Sequence, residues 1–346
     1  MLENSQGESV RSSRPTIRQV SILYFITILL FLVIGSRVQH REFYSGVLIT
    51  EFLLVMAPAL GMLFLYRYDI RNTLRIHRVG LLNLFIIFCI MLFCIPIISI
   101  LNLVNLSIIK QIFGRVLIQP VPVATNALEL LINVLVIGGS AGICEEVLFR
   151  GVVQRGFERL GVVKAILITS FLFGLMHVDF QKLLGTFLLG GLIGFIVYRT
   201  NSLFAGMFAH FCNNSLAVLI SYAASKLMNR MQSSGLNPGQ SGTSPADISS
   251  LFEMPTMQLV AVIIVWGVIF LACAAFLAGL MIALIKNTEQ KVEWVRKPAE
   301  KADIRGMVWL LPPFLLIGAI YVAQGFGLLG IKNEALNTVL RFIGIR

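Results

Sequence analysis

The chain has 346 residues, 57% of them hydrophobic and only 13% charged, with a mean hydropathy of +0.86. Those values exclude an ordinary soluble domain and point to a multi-pass membrane protein. The formal charge of +11 raises the idea of nucleic acid, but the Lys and Arg residues sit in short loops between apolar segments, where positive-inside topology places them, so no nucleic-acid partner is expected.

Lipid leaves backbone polar groups without partners, so only helices and closed barrels span it. The apolar segments here are long and continuous rather than ten-residue alternations. The expected fold class is therefore all-α, a polytopic transmembrane helical bundle of eight or nine membrane segments. Residues 1–18 are polar and read as a disordered cytoplasmic N-terminus. Arg11, Arg14 and Arg18 precede the first apolar run without an A-x-A site after it, so a retained first helix is expected. Apolar segments follow at about 19–36, 44–66, 80–103, 125–149, 163–178, 183–198, 202–223, 257–285 and 306–330. The fourth continues from Arg150 to Gly161 as a helix expected to emerge at the membrane surface. Lys and Arg divide 18 to 10 between alternate loops, which puts the N-terminus in the cytoplasm of a plasma-membrane protein.

Composition marks the remaining divisions. N-terminal helices occupy 19–124 and a polar-residue-bearing core occupies 125–223. The Ser-, Gly- and Pro-rich stretch 224–256 reads as a flexible extramembrane loop. C-terminal helices fill 257–346, interrupted by a mixed-charge, basic connector at 286–305. The five cysteines lie inside apolar segments without C-x-x-C spacing, so neither a disulfide framework nor a zinc knuckle is indicated.

Ionisable residues inside the membrane are costly and carry function by default. The largest concentration is Cys144-Glu145-Glu146-Val147-Leu148-Phe149-Arg150. Glu146 and Arg150 are four apart in the favourable acid-before-base order and read as a structural pair. Two of the four histidines, His177 and His210, also lie in apolar segments. Phe173 shares a helix face with His177, and Asn214 shares one with His210. By helical rise Glu145 lies about 22 Å from the turn at 160, His177 about 24 Å from that same turn, and His210 about 15 Å from the turn at 200. Those turns fall on one side, so the three groups can meet in one layer. Glu51 and Glu129, nearer the outer ends of their segments, read as snorkelling or capping. Gly190 and Gly194 read as a close-packing pair.

In this order and at these spacings, Glu145-Glu146-Val-Leu-Phe-Arg150, Phe173-Gly-Leu-Met-His177 and His210-Phe-Cys-Asn-Asn214 resemble the CAAX protease and bacteriocin-processing family, also called CPBP or Abi. The resemblance covers about 125–222. One departure is Gly206-Met207, where relatives often have proline, expected to affect helix entry more than chemistry. The resemblance implies an intramembrane glutamic endopeptidase, similar to the type II CAAX prenyl endopeptidases. By position, Glu145 would activate a water with help from His177, and His210 with Asn214 would stabilise the oxyanion. Glu146, Arg150 and Phe173 would orient them. The substrate would be a membrane-associated protein or peptide, possibly lipidated. No cofactor is expected. Zinc held by Glu145, His177 and His210 is the alternative within enzymes, although H-E-x-x-H is absent. A non-catalytic immunity or scaffold protein of the membrane is the alternative outside them. The oligomeric state is open.

Overall fold

The computed structural model describes residues 14–116, 122–234, 255–292 and 303–331, with Glu334 and Thr338. Among them the regular structure is helical, with no strand. Eight helices are long and apolar enough to cross a bilayer: α1 Ile17–Arg41, α2 Phe43–Leu65, α3 Leu81–Phe113, α4 Ala127–Leu160, α6 Leu183–Thr200, α7 Leu203–Ser233, α8 Thr256–Asn287 and α9 Ile304–Leu328. The short apolar helix α5, Val162–Met176, lies between α4 and α6. The protein is a multi-pass membrane protein.

Local chemistry sets the helix ends. Thr16 and Gln19 cap the start of α1 reciprocally, which satisfies two backbone N–H groups left free at a first turn. Asn126 accepts from the Glu129 backbone at the start of α4, while Glu129 accepts from the Thr125 backbone at 2.8 Å. Gly114, at φ 79°, takes the left-handed conformation that closes α3.

One expected boundary moves. The helix of α7 continues to Ser233, ten residues past the end of its apolar segment at 223, and 235–254 lie outside the described residues. Residues 150–160 extend α4, and Val147–Phe157 are all buried within the protein. Arg75 donates to Glu158 Oε1 at 2.6 Å, and Arg155 donates to Glu158 Oε2 at 2.6 Å. A carboxylate shared between two guanidinium groups lets the charges stay inside, which residue type alone does not reveal. The expected tail before residue 14 and much of the 286–305 connector, at 293–302, also lie outside the described residues.

The bundle holds two apolar cores. The first joins α1, α2, α4, α5 and α9 through residues such as Tyr24, Val55, Phe149, Phe173 and Ile320. The second joins α3, α6, α7 and α8 through Ile90, Ile193, Ala209 and Leu284. Helices α4 and α7 meet where these cores adjoin. Gly142 makes that approach close: a Cβ there would stand 3.1 Å from the Phe211 backbone nitrogen.

Candidate active site

The Glu145-Glu146 pair ends a stretch of ordinary α-helix, 141–146, bracketed within α4 by wider π-helical turns at 134–140 and 147–153. Such insertions are uncommon and break the ordinary rotation of side chains around a helix. Opposite them, α7 brings His210 to both acids. His210 Nδ1 lies 2.9 Å from Glu146 Oε1, and its Nε2 lies 3.9 Å from Glu145 Oε2. Adjacent residues on a helix point about 100° apart. They do diverge, but an imidazole has a nitrogen at each side and spans them.

Glu146 is sealed. Its side chain is 0% exposed, and Oε1 accepts from Arg150 Nη1 at 2.7 Å as well as from His210. Arg150 also donates to the Gly190 carbonyl at 3.0 Å and lies 4.7 Å over the Phe173 ring. The expected pairing of Glu146 with Arg150 is present, and Gly190 supplies an acceptor as well as close packing. Since an ionised carboxylate can only accept, Glu146 holds a proton on His210 Nδ1. That leaves Nε2 turned toward Glu145.

Glu145 is the more accessible acid, its side chain 14% exposed, and its Oε2 has no hydrogen-bond partner. His177 caps the end of α5 and is exposed. Its Nδ1 lies 3.0 Å from the Phe173 carbonyl. The Phe173 ring stands between the histidines, 5.1 Å from the ring of His177 and 5.7 Å from that of His210. Exposure therefore rises from Glu146 through His210 and Glu145 to His177.

Asn214 is one helical turn beyond His210. Its Nδ2 donates to the Ile137 carbonyl at 3.2 Å, and its Oδ1 accepts from Asn213 at 3.0 Å. A carboxamide nitrogen carries two N–H groups, so one is left for another acceptor. Glu145, Glu146, Arg150, Phe173 and His210 thus form one contiguous cluster, His177 joins it through Phe173, and Asn214 flanks it. Among the described residues no group of three or more His, Cys, Asp or Glu side chains is arranged to hold a metal ion.

Two features escaped the sequence reading. Glu51 is neither snorkelling nor capping: it is 8% exposed and its Oε2 is buried without a partner, in the part of α2 that packs against the Glu145 stretch of α4. Its signal was an acid inside an apolar run, the same signal that singled out Glu145. Gly206 matters for more than helix entry, because a Cβ there would stand 2.9 Å from Glu146 Oε2 and 2.5 Å from Val197.

Residues 127–216 match the family model described as type II CAAX prenyl endopeptidase Rce1-like. No curated protein and no solved structure matches the chain. The matched residues contain all three motifs and the whole of the polar cluster built on them. Over these residues, and not beyond them, the chain is similar to that family.

Proposed function

We propose that this protein is an intramembrane endopeptidase that hydrolyses a peptide bond of a membrane-associated protein or peptide with a water activated by Glu145. The observation that carries the reading is the division of labour around His210. One acid is sealed, its Oε1 held by both Arg150 and His210 Nδ1, while the other lies 3.9 Å from Nε2, has no hydrogen bond on its Oε2 and keeps part of its side chain accessible. A packing accident needs no such asymmetry. A general base does, since it must reach water while its neighbours hold the frame.

A water on the accessible side of Glu145 gives up a proton to that carboxylate as its oxygen attacks the substrate carbonyl carbon. His177, on the accessible side, orients the water. Negative charge then develops on the carbonyl oxygen, where N–H donors in a site with little water are most effective. The second Nδ2–H of Asn214 is one donor. His210 Nε2–H is another when the ring carries both protons. Collapse of the tetrahedral species breaks the C–N bond, and the proton held by Glu145 passes to the leaving amine. Glu146, Arg150 and Phe173 keep His210 in place.

The test compares peptides from membranes containing wild-type protein with those from membranes containing Glu145→Gln, with a quenched fluorescent farnesylated CAAX peptide as a defined probe. Accumulation of uncleaved precursors in the variant supports the reading. Identical peptide profiles, with both proteins folded and present in equal amounts, would sink it and favour the non-catalytic alternative. Loss of cleavage on chelation, restored by zinc, would move the assignment to the metallopeptidase alternative.

A further inference from the structure

We infer that Gln324, on the C-terminal helix α9 and outside the matched family core, is a positioning residue that fixes His177 by clamping the turn that follows it. The inference rests on the endopeptidase reading for what His177 does, but its structural half stands alone.

Val178, the next residue, has φ 52°. A β-branched side chain is a true outlier in the left-handed region, because both branches crowd the backbone there. Such a conformation persists only where the surroundings hold it, and residues of this kind gather at functional sites. The His177 ring does not supply that hold. Its one hydrogen bond among the described residues is from Nδ1 to Phe173, within its own helix. The direction of the ring thus follows from the backbone at 177–178.

Gln324 supplies the hold. Its side chain is buried, and Nε2 donates to the Val178 carbonyl at 2.7 Å. Its Oε1 accepts from the Phe180 backbone at 3.5 Å, a long contact that places the same amide across the turn. One helical turn earlier on α9, Tyr321 packs edge-on against Phe180 with ring centroids 5.9 Å apart. Asn105 of α3 donates to the Gln181 carbonyl at 3.1 Å, closing the turn from another side. A buried carboxamide carrying both a donor and an acceptor suits a turn that presents one carbonyl and one N–H. An apolar residue of the same size would fill the space and leave the Val178 carbonyl without its donor.

The experiment uses the full chain in lipid nanodiscs and reads amide hydrogen exchange by mass spectrometry. Gln324→Met is near-isosteric, and Gln324→Glu keeps the oxygen for Phe180 while losing the N–H for Val178. In both variants exchange across 178–182 is expected to rise about tenfold, the loss of one buried hydrogen bond, while a control peptide in α3 is unchanged. Unchanged exchange at 178–182 in either well-folded variant overturns the clamp. On the farnesylated CAAX peptide, kcat should fall about tenfold with KM unchanged, because the turn moves His177 rather than binding substrate. A rise in KM alone would overturn the positioning role. If the wild type and Glu145→Gln both leave that peptide intact, the choice of probe or the endopeptidase reading fails, and the exchange result still decides the clamp.

Discussion

The two sides of His210 are built to opposite rules. On the Nδ1 side, Glu146 is fully buried and Arg150 1% exposed, and each finds partners from another helix: His210 of α7 and the Gly190 carbonyl of α6. On the Nε2 side, Glu145 has an oxygen with no partner and His177 is exposed. An ion pair bonded to two further helices fixes what it holds, whereas a partly accessible acid held by no hydrogen bond is open to water or to a ligand. The contrast separates scaffold from chemistry within one pair of adjacent residues, and each variant below attacks one side of it.

Glu145→Gln should have the largest effect on cleavage, a loss of about 10³-fold or more, since it removes the base and keeps the shape. Thermal unfolding in detergent should be close to wild type, because that carboxylate oxygen makes no hydrogen bond to lose. A large drop in stability would mean Glu145 belongs to the scaffold side. Arg150→Met should do the reverse, lowering stability by about 3–5 kcal/mol, because it strands Glu146 as a buried charge without its cation. Cleavage would fall with it as His210 loses its anchor. Retained stability in a thermal melt would show that Glu146 does not depend on the guanidinium.

Much of this was legible from residue order. The nine apolar segments mark the nine apolar helices found among the described residues, and i,i+4 spacing marks the Glu146–Arg150 pair. The capping read for Glu129 is present, its carboxylate accepting from the Thr125 backbone at 2.8 Å. The meeting of Glu145 with His210 follows from depth counting on neighbouring helices. What was not legible depends on which helices touch. The burial of Arg155 and Glu158 within the protein could not be read, because their partner, Arg75, is about 80 residues away in a loop. Glu51 read as peripheral because its position within a segment does not show that α2 packs on α4 at Glu145. Nor can a helical wheel show that His210 presents a different nitrogen to each acid.

Gly206→Ala strikes the sealed side without removing a polar group. The added methyl would meet Glu146 Oε2 and Val197 well inside ordinary contact distances. Overpacking of this kind costs about 1–3 kcal/mol, and displacement of Glu146 should lower cleavage by roughly tenfold. A melt and a kcat measurement check both. Wild-type values would show that the sealed side tolerates movement, contrary to the role assigned to it.

Glu51→Gln tests the open side with the smallest expected change. Glu51 is buried, its Oε2 has no partner, and it lies where α2 packs against the Glu145 stretch of α4. The variant keeps the volume and removes a second acid from the neighbourhood of Glu145. A buried carboxylate without a partner is a burden on the fold, so the amide should raise stability by about 1 kcal/mol. Cleavage should change only a few-fold, because Glu145 keeps its own carboxylate and its approach to His210. A thermal shift and a kcat measurement separate the outcomes. Higher stability with altered turnover makes Glu51 a third acid kept at a cost to the fold for its effect on Glu145. Lower stability instead gives Glu51 a bonded partner in the folded protein and moves it to the sealed side.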